Sequence, residues 1–599
     1  MARMAALVRA PPCSLSITSG PHFIGQKIDP SVKRQQPAPR RPRDRTALQR
    51  RQSVRRHRRG ARPMAEWRRQ TYWQALSAAA DRWPEAEAVV VSGAARLGFA
   101  AFREEVRRTA ANLKRLGLRR GDHIAICMGN RLERPVLLFA AAALGAVTVP
   151  VNTRFKAEEL AYCLGQAEVR MLAVADRFLG IDFIAMLRAI CAEIASALPS
   201  ARLPALRRVI VFGEDVPRGA TPAAELARAP AAPFDPGEEA VDPDDVALIQ
   251  YTSGTTSYPK GVMLSHDGML RDAWHVGRRL GLRPGDRYLS ERPLYHVAGT
   301  TLSLLTALLA GACYLTTPHF DAEESLRLLD EERCTHISGN DTMFLMMVNH
   351  PSFPARRLHL RGGWAAASET ILRQVRERMG VVDLCSAYGL SEASPNVSMG
   401  PFDDDAEARL AGFSRPLPGV EVRIRDAEAG ADCASGVPGE ILVRGWNVMK
   451  GHYRMPEQTA RAIDAEGWLH TGDLGVTDED GRLRFAGRLK DVFRVGGENV
   501  APAEVEDVLH RHPAIRQAQV IGVPDPRLVE VPAAYVVLNQ GAAATPEQII
   551  AWCRERCANF RVPRHVRIVD GLEDIGMTGS AKVQKNRLRA FALRDLGLG

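Results

Sequence analysis

From Thr71 onward the apolar positions follow two alternating periods. TYWQALSAAADRW (71–83) spaces its apolar residues as one helical face, and AEAVVVSG (86–93) follows as a short apolar run of strand type. A helix predicted over Phe102–Leu116 leads into strand-like HIAICMG (123–129), and further strand runs recur at RRVIVFG, VALIQYTSG, DRYLSERP and CTHISG. VLLFAAAALGAVTVPV from Val136 and TLSLLTALLAGACYL from Thr301 are the longest apolar stretches, each too short to span a bilayer as one helix. They read as helix–strand units, so no transmembrane segment is expected. Helices alternating with buried strands predict α/β layers around largely parallel sheets.

Near Gly412 the texture changes to short strands and turns, VEVRIRD, GEILVRG and GRLRFAGR, which predict a β-rich subdomain. Beyond Asp491 come VFRVGG, a helix in PAEVEDVLHRH, strands in QAQVIGV and VPAAYVVL, and a helix from Pro546. That is enough chain for a separate, smaller α+β module. The expected organisation is therefore 1–63 as a basic extension, 64–488 as a large N-terminal domain and 489–599 as a C-terminal domain.

Charge then changes the picture at one place only. The formal net charge is +11, but residues 1–63 carry +14 and the rest of the chain −3. The basic segment is rich in Pro and Arg and lacks apolar periodicity, so it predicts disorder rather than a nucleic-acid-binding body. Globular sequence begins at Met64-Ala65-Glu66-Trp67, which favours a true start at Met64 over a presequence. Ten cysteines are scattered without metal-type or disulfide-type spacing, the pattern of reduced thiols in the cytoplasm.

Candidate chemistry starts at the end of the strand VALIQYT. YTSGTTSYPKGV (251–262) packs small residues, hydroxyls and a lysine into one loop, a composition suited to phosphate oxygens. Lys260 lies between Pro259 and Gly261, so this is not a Walker-type loop. Six more segments follow in order: PLYHVAG at 293, RGGW at 361, YGLSE at 388, HTGD at 470, GRLKD at 487 and TGSAKVQKNRLR at 578. Together they resemble the adenylate-forming superfamily of acyl-CoA synthetases, peptide-synthetase adenylation domains and luciferases, over roughly Met64 to the C-terminus.

The resemblance implies ATP and Mg²⁺ at a site built from named positions. Thr252, Ser253, Gly254, Thr255, Thr256, Ser257 and Lys260 would contact the triphosphate, with Thr255 and Glu392 toward the metal. Tyr388, Gly389, Ser391 and Glu392 would meet adenine, phosphate and Mg²⁺, Asp473 the ribose hydroxyls, and Arg488 the ribose and phosphate. A carboxylate accepting two hydroxyl donors suits that role. Gly363 would lie between the nucleotide and the acid, and His296 and Trp364 at the acyl pocket. Lys582 would bridge the carboxylate and the α-phosphate, making it, with Thr256 and Glu392, the expected catalytic set. Lys490 matches the hinge, and Val495, Gly496 and Gly497 the coenzyme A channel. Ser257, Ser391 and Ala581 depart from the family pattern; the first and third add bulk where glycine freedom matters.

The implied reaction is two-step: carboxylate attack on ATP giving acyl-AMP and pyrophosphate, then thiol attack giving acyl-CoA and AMP. PLYHVAG offers no carboxylate for a substrate amine, and this favours an unsubstituted acid, a medium- to long-chain fatty acid first and an aryl acid second. An acyl-AMP ligase serving a carrier protein and a non-catalytic ligand-binding homologue are the competing readings.

Overall fold

Two large sheets share a core of aromatic and aliphatic side chains contributed by the helices between them. The computed structural model describes residues 66–230, 234–252, 259–426, 429–495, 498–572, 575 and 583–598.

The first sheet runs, edge to edge, through Lys260–Ser265, Val246–Thr252, Val147–Pro150, His123–Cys127, Met171–Ala175, Arg208–Phe212 and Thr221–Pro222. Its neighbours are parallel except for the edge hairpin, where Val246–Thr252 and Lys260–Ser265 are antiparallel. The second sheet runs through Asn396–Met399, Asp383–Gly389, Gly362–Ala366, His336–Asn340, Arg287–Ser290, Cys313–Thr316, Glu87–Val91 and Ala95–Gly98. Its interior is parallel and only the two edge strands pair antiparallel. The expected layering of helices over mostly parallel sheets is observed.

The helix Phe99–Arg115 begins three residues before the predicted Phe102, because Phe99 and Phe102 both enter the core one helical turn apart. Phe139, Tyr72, Tyr288 and Tyr314 join them between the sheets. The long apolar run from Thr301 resolves into a π-helical turn, Thr300–Leu305, a short helix, Thr306–Ala310, and the strand Cys313–Thr316. The run from Val136 resolves into helix Glu133–Ala143 and strand Val147–Pro150.

A third sheet, Val420–Arg425, Gly439–Gly445, Leu469–Thr477 and Leu483–Arg488, is antiparallel throughout, as the short strand–turn texture predicted. After the turn Leu489–Asp491 the chain enters a sheet of Phe493–Val495, Glu498–Val500, Ile515–Asp525, Val529–Leu538 and His565–Ile568. Helices Pro502–His510 and Pro546–Arg554 cover one face of this sheet and helix Lys585–Asp595 the other. Helix Pro502–His510 also packs against the strand Leu483–Arg488 and the helix Glu369–Arg378. No helix among the described residues is long and apolar enough to cross a membrane.

Candidate active site

Open α/β sheets present ligands at the carboxyl ends of their strands; Tyr388 and Gly389 lie there, whereas Gly363 and Trp364 sit nearer the amino end of their strand, beside Leu384 and Cys385. Strand Asp383–Gly389 ends in Tyr388 and Gly389, strand Gly362–Ala366 carries Gly363 and Trp364, and the hairpin Val246–Thr252/Lys260–Ser265 opens at its tip. Two of these glycines have no room for a side chain. A Cβ on Gly363, whose φ is +155°, would lie 2.2 Å from the Ile337 carbonyl oxygen, and one on Gly389 would lie 2.1 Å from that of Pro395.

The tightest constellation joins three motifs distant in sequence. The Tyr388 hydroxyl donates to Asp473 Oδ2 at 2.8 Å, and Arg488 Nε pairs with Asp473 Oδ1 at 3.0 Å. Asp473 and Arg488 face each other across adjacent strands, so the register of the third sheet sets that pair. Asp473 is 2% exposed, whereas the Arg488 side chain is 40% exposed. Burial and the neighbouring Asp473 carboxylate push the Tyr388 phenol well above its ordinary range. The hydroxyl therefore stays a donor at any ordinary pH. Thr471 Oγ1 accepts from the Asp473 backbone N–H at 3.1 Å and donates to the Ile441 carbonyl at 2.7 Å, and Glu440 Oε1 accepts the Gly472 N–H at 3.1 Å. The HTGD segment is thus braced from behind, and Asp473 needs little reordering to bind.

Glu392 sits in the turn Ser391–Ala393, which Gly389 and the αL residue Ser394 lead into and out of. Met449 N–H donates to the Glu392 carbonyl at 2.9 Å, tying this turn to the 445–453 segment. Burial raises the Glu392 pKa, and Arg488 and Lys260 oppose that rise. Two cations consequently face one carboxylate from opposite motifs.

Thr252 and Lys260 are register partners at the open end of the edge hairpin. Tyr251, whose hydroxyl bonds to Gln166 Oε1, anchors its base, and Gln166 Nε2 donates to the Tyr453 carbonyl at 2.8 Å. The Tyr453 N–H in turn donates to the Gly261 carbonyl at 2.7 Å. Ser253, Gly254, Thr255, Thr256, Ser257, Gly496, Gly497 and Lys582 lie outside the described residues.

The remaining expected residues are placed as follows. Trp364 is buried, and its Nε1 donates to the Tyr288 hydroxyl at 2.8 Å. His296 is exposed and accepts the Ala298 N–H at Nδ1, capping the turn that leads to the π-helical segment. Lys490 is exposed in the turn Leu489–Asp491 between the third and C-terminal sheets. The Val495 side chain is buried in the C-terminal core with Phe493 and Val500, so only its backbone is left to line a channel. Lys585, in the same basic segment as Lys582, contacts Glu506 through Nζ and donates to the Val520 carbonyl at 2.7 Å.

Sequence reasoning missed Phe485, whose ring stacks on Tyr388 with centroids 5.7 Å apart and planes 16° from parallel. Its only signal was position, three residues before Arg488 on the same strand. It also missed His452, a buried imidazole close enough to Lys260 to feel its charge. Burial and the Lys260 charge lower its pKa to about 4, which keeps it neutral.

The description AMP-binding enzyme matches residues 76–453, and AMP-binding enzyme C-terminal domain matches 504–582. A 3-[(3aS,4S,7aS)-7a-methyl-1,5-dioxo-octahydro-1H-inden-4-yl]propanoyl:CoA ligase of Rhodococcus jostii (strain RHA1) is 37% identical over 528 residues, covering 86% of this chain and 97% of that protein. The human (Homo sapiens) mitochondrial medium-chain acyl-CoA ligase ACSF2 is 34% identical over 547 residues, covering 88% of each. Among solved structures, ATP-bound MatB from Rhodopseudomonas palustris superposes with a TM-score of 0.74 at 28% identity, over 87% of this chain and 99% of that one. The chain belongs to the AMP-binding enzyme family, the adenylate-forming ligases of acyl-CoA synthetase type.

Proposed function

We propose that this enzyme activates a carboxylic acid with ATP and transfers the acyl group to coenzyme A. The observation that carries the reading is the convergence of Tyr388, Asp473 and Arg488, from three separate motifs, at the mouth of a parallel sheet. The Asp473 carboxylate, buried and braced, accepts the ribose hydroxyls by exchanging its present donors for substrate donors. The Tyr388 ring, flanked by Phe485, supplies an apolar face for the base. Arg488 and Lys260 place two cations where phosphate charge collects, and Lys582 stabilises the charge developing between carboxylate and α-phosphate.

Among the described residues no group of three or more His, Cys, Asp and Glu is arranged to hold a metal. A single carboxylate, Glu392, suits Mg²⁺ that arrives with the nucleotide, bound chiefly through phosphate oxygens and water. Bound there, Mg²⁺ would offset phosphate charge; Thr255 is the other residue assigned to it. The acid's oxygen attacks the α-phosphorus, the bond to the bridging oxygen breaks, and pyrophosphate leaves. Rotation about Lys490 then withdraws Lys582 and turns the Val495–Gly497 backbone toward the site. The coenzyme A thiolate attacks the acyl carbon and AMP departs with its electron pair.

The two relatives differ in acid, one named for medium chains and the other for a ring dione bearing a propanoyl arm. An acid of that size is the substrate class proposed here. The free, mostly buried cysteines of the described chain accord with a reducing compartment such as the cytoplasm. The test is pyrophosphate release across a panel of carboxylic acids, with and without coenzyme A. Acid-dependent release and an acyl-CoA product are expected; adenylate without acyl-CoA indicates a carrier-protein acceptor, and no acid-dependent release refutes the reading.

A further inference from the structure

The surroundings of Trp364, expected from sequence at the acyl pocket, are not purely aliphatic. Strands Arg287–Ser290, His336–Asn340 and Gly362–Ala366 lie side by side in the second sheet, with Ser290, Ser338 and Trp364 aligned by register. Facing the π-helical turn Thr300–Leu305 they present Tyr288, Ser290, Ser338 and Trp364. The Tyr288 hydroxyl accepts Trp364 Nε1 and donates to the Leu302 carbonyl at 3.1 Å. Ser338 Oγ donates to Ser290 Oγ at 2.9 Å, which lies 2.8 Å from Ser303 Oγ, and Ser303 Oγ donates to the Ala298 carbonyl at 2.9 Å. These hydroxyls satisfy one another and hold the turn against the sheet. π-Helical turns recur at functional sites.

Arg292 stands apart from that closed network. It follows the strand Arg287–Ser290, four residues before His296. Its guanidinium lies 4.4 Å from the Trp364 ring centroid, and Nη2 donates to the Gly339 carbonyl at 2.5 Å. Nε is sealed from solvent with no partner, and no described carboxylate forms an ion pair with the group. Its neighbour Glu291 gives it nothing, since both Glu291 oxygens accept hydroxyls on the far side, from Thr317 at 2.7 Å and from Ser325. Burial lowers the Arg292 pKa to about 10, so the charge persists at neutral pH. A sealed guanidinium nitrogen without an acceptor is costly, and an apolar chain laid against it would leave that cost in place.

Resting on the acid-activating reading above, we infer that Arg292 is a specificity-determining residue, donating to an oxygen acceptor, ketone or carboxylate, on the tail of the acid. Trp364 orients the guanidinium by stacking, and Gly339 fixes one of its nitrogens, leaving the rest for substrate. Sites built to hydrogen-bond a substrate group discriminate strongly against analogues lacking it. An unadorned alkanoate of equal length leaves Arg292 Nε without an acceptor.

The experiment compares three acids of equal length: a plain alkanoate, its ketone-bearing counterpart and the α,ω-dicarboxylate. Pyrophosphate release is measured for the full chain and for Arg292→Met and Arg292→Lys. The expected result is a kcat/KM at least about tenfold higher for one acceptor-bearing acid than for the alkanoate. Arg292→Met removes that preference, and Arg292→Lys retains part of it. The acid preferred separates ketone from carboxylate. Equal use of all three acids, or a preference that survives Arg292→Met in a protein of unchanged melting temperature, overturns the inference. Should no acid release pyrophosphate, the reaction class fails, and acid-induced shifts in melting temperature decide the pocket: a larger shift with an acceptor-bearing acid that Arg292→Met abolishes supports the inference, and equal shifts overturn it.

Discussion

Around Asp473 the partners are already in place: the Tyr388 hydroxyl donates to one carboxylate oxygen and Arg488 Nε pairs with the other before any ligand arrives. Near Trp364, by contrast, Arg292 keeps a buried nitrogen without a partner beside a closed net of hydroxyls. The nucleotide end is preorganised for a constant ligand, so ligand donors replace internal ones at little reorganisation cost. The acid end is left unbalanced for a ligand that differs between relatives, and the imbalance is what discriminates.

Four perturbations break or sharpen that contrast. The largest effect is expected for Lys582→Ala, which should lower adenylate formation by about 10³-fold or more and leave thioester formation from supplied acyl-AMP within a few-fold. Separate assays of the two half-reactions check this, and equal loss of both counts against a domain rotation. Next comes Asp473→Asn. Losing the carboxylate leaves Arg488 without its counter-ion and weakens the ribose grip, so kcat/KM for ATP should fall by about 10²-fold, with little change in the ratio among acids. A changed acid ratio would mean that the two ends are coupled.

The third perturbation is pH acting on the acid end. Burial raises the Glu291 pKa from 4.5 to about 7 even though two hydroxyls bond to it. The folded state holds this proton more tightly than the unfolded state does. Its contribution is fully present below about 4.5 and is lost as pH rises to about 7. Stability should fall across that window by up to roughly 3 kcal/mol, read as a drop in Tm that Glu291→Gln flattens. The smallest effect belongs to Tyr388→Phe, which keeps the ring and removes one hydrogen bond to Asp473. KM for ATP should rise by about two- to tenfold with kcat nearly unchanged, in a titration of initial rate against ATP.

The same contrast explains what could be read in the sequence. Tyr388, Asp473 and Arg488 were legible only through the resemblance, because YGLSE, HTGD and GRLKD fall in the family's order; alone, each would pass for an ordinary surface or core residue. The layered fold was legible because strand and helix periods alternate cleanly up to Thr316. Phe485 was not, since one aromatic in an alternating strand carries no chemical signature. Arg292 was hidden in DRYLSERP, where it read as the polar end of a strand; only the placement of Trp364 and Gly339 around it reveals a buried cation. His452 was concealed in the same way, because nothing in KGHYR indicates that its imidazole is buried near Lys260. Lys585 was equally hidden, since its basic segment does not show that the amine is spent on Glu506 and Val520. Local patterns report periodicity and composition, while burial and partnership come from segments far apart in the chain.

The account turns on transfer of one carboxylate oxygen to the α-phosphorus, and isotope labelling follows that atom directly. With acid labelled by ¹⁸O in both carboxylate oxygens, ATP, Mg²⁺ and coenzyme A, the released AMP should carry one labelled oxygen and the pyrophosphate none. Label in inorganic phosphate or pyrophosphate, or AMP released without label during acyl-CoA formation, would contradict an acyl-adenylate route.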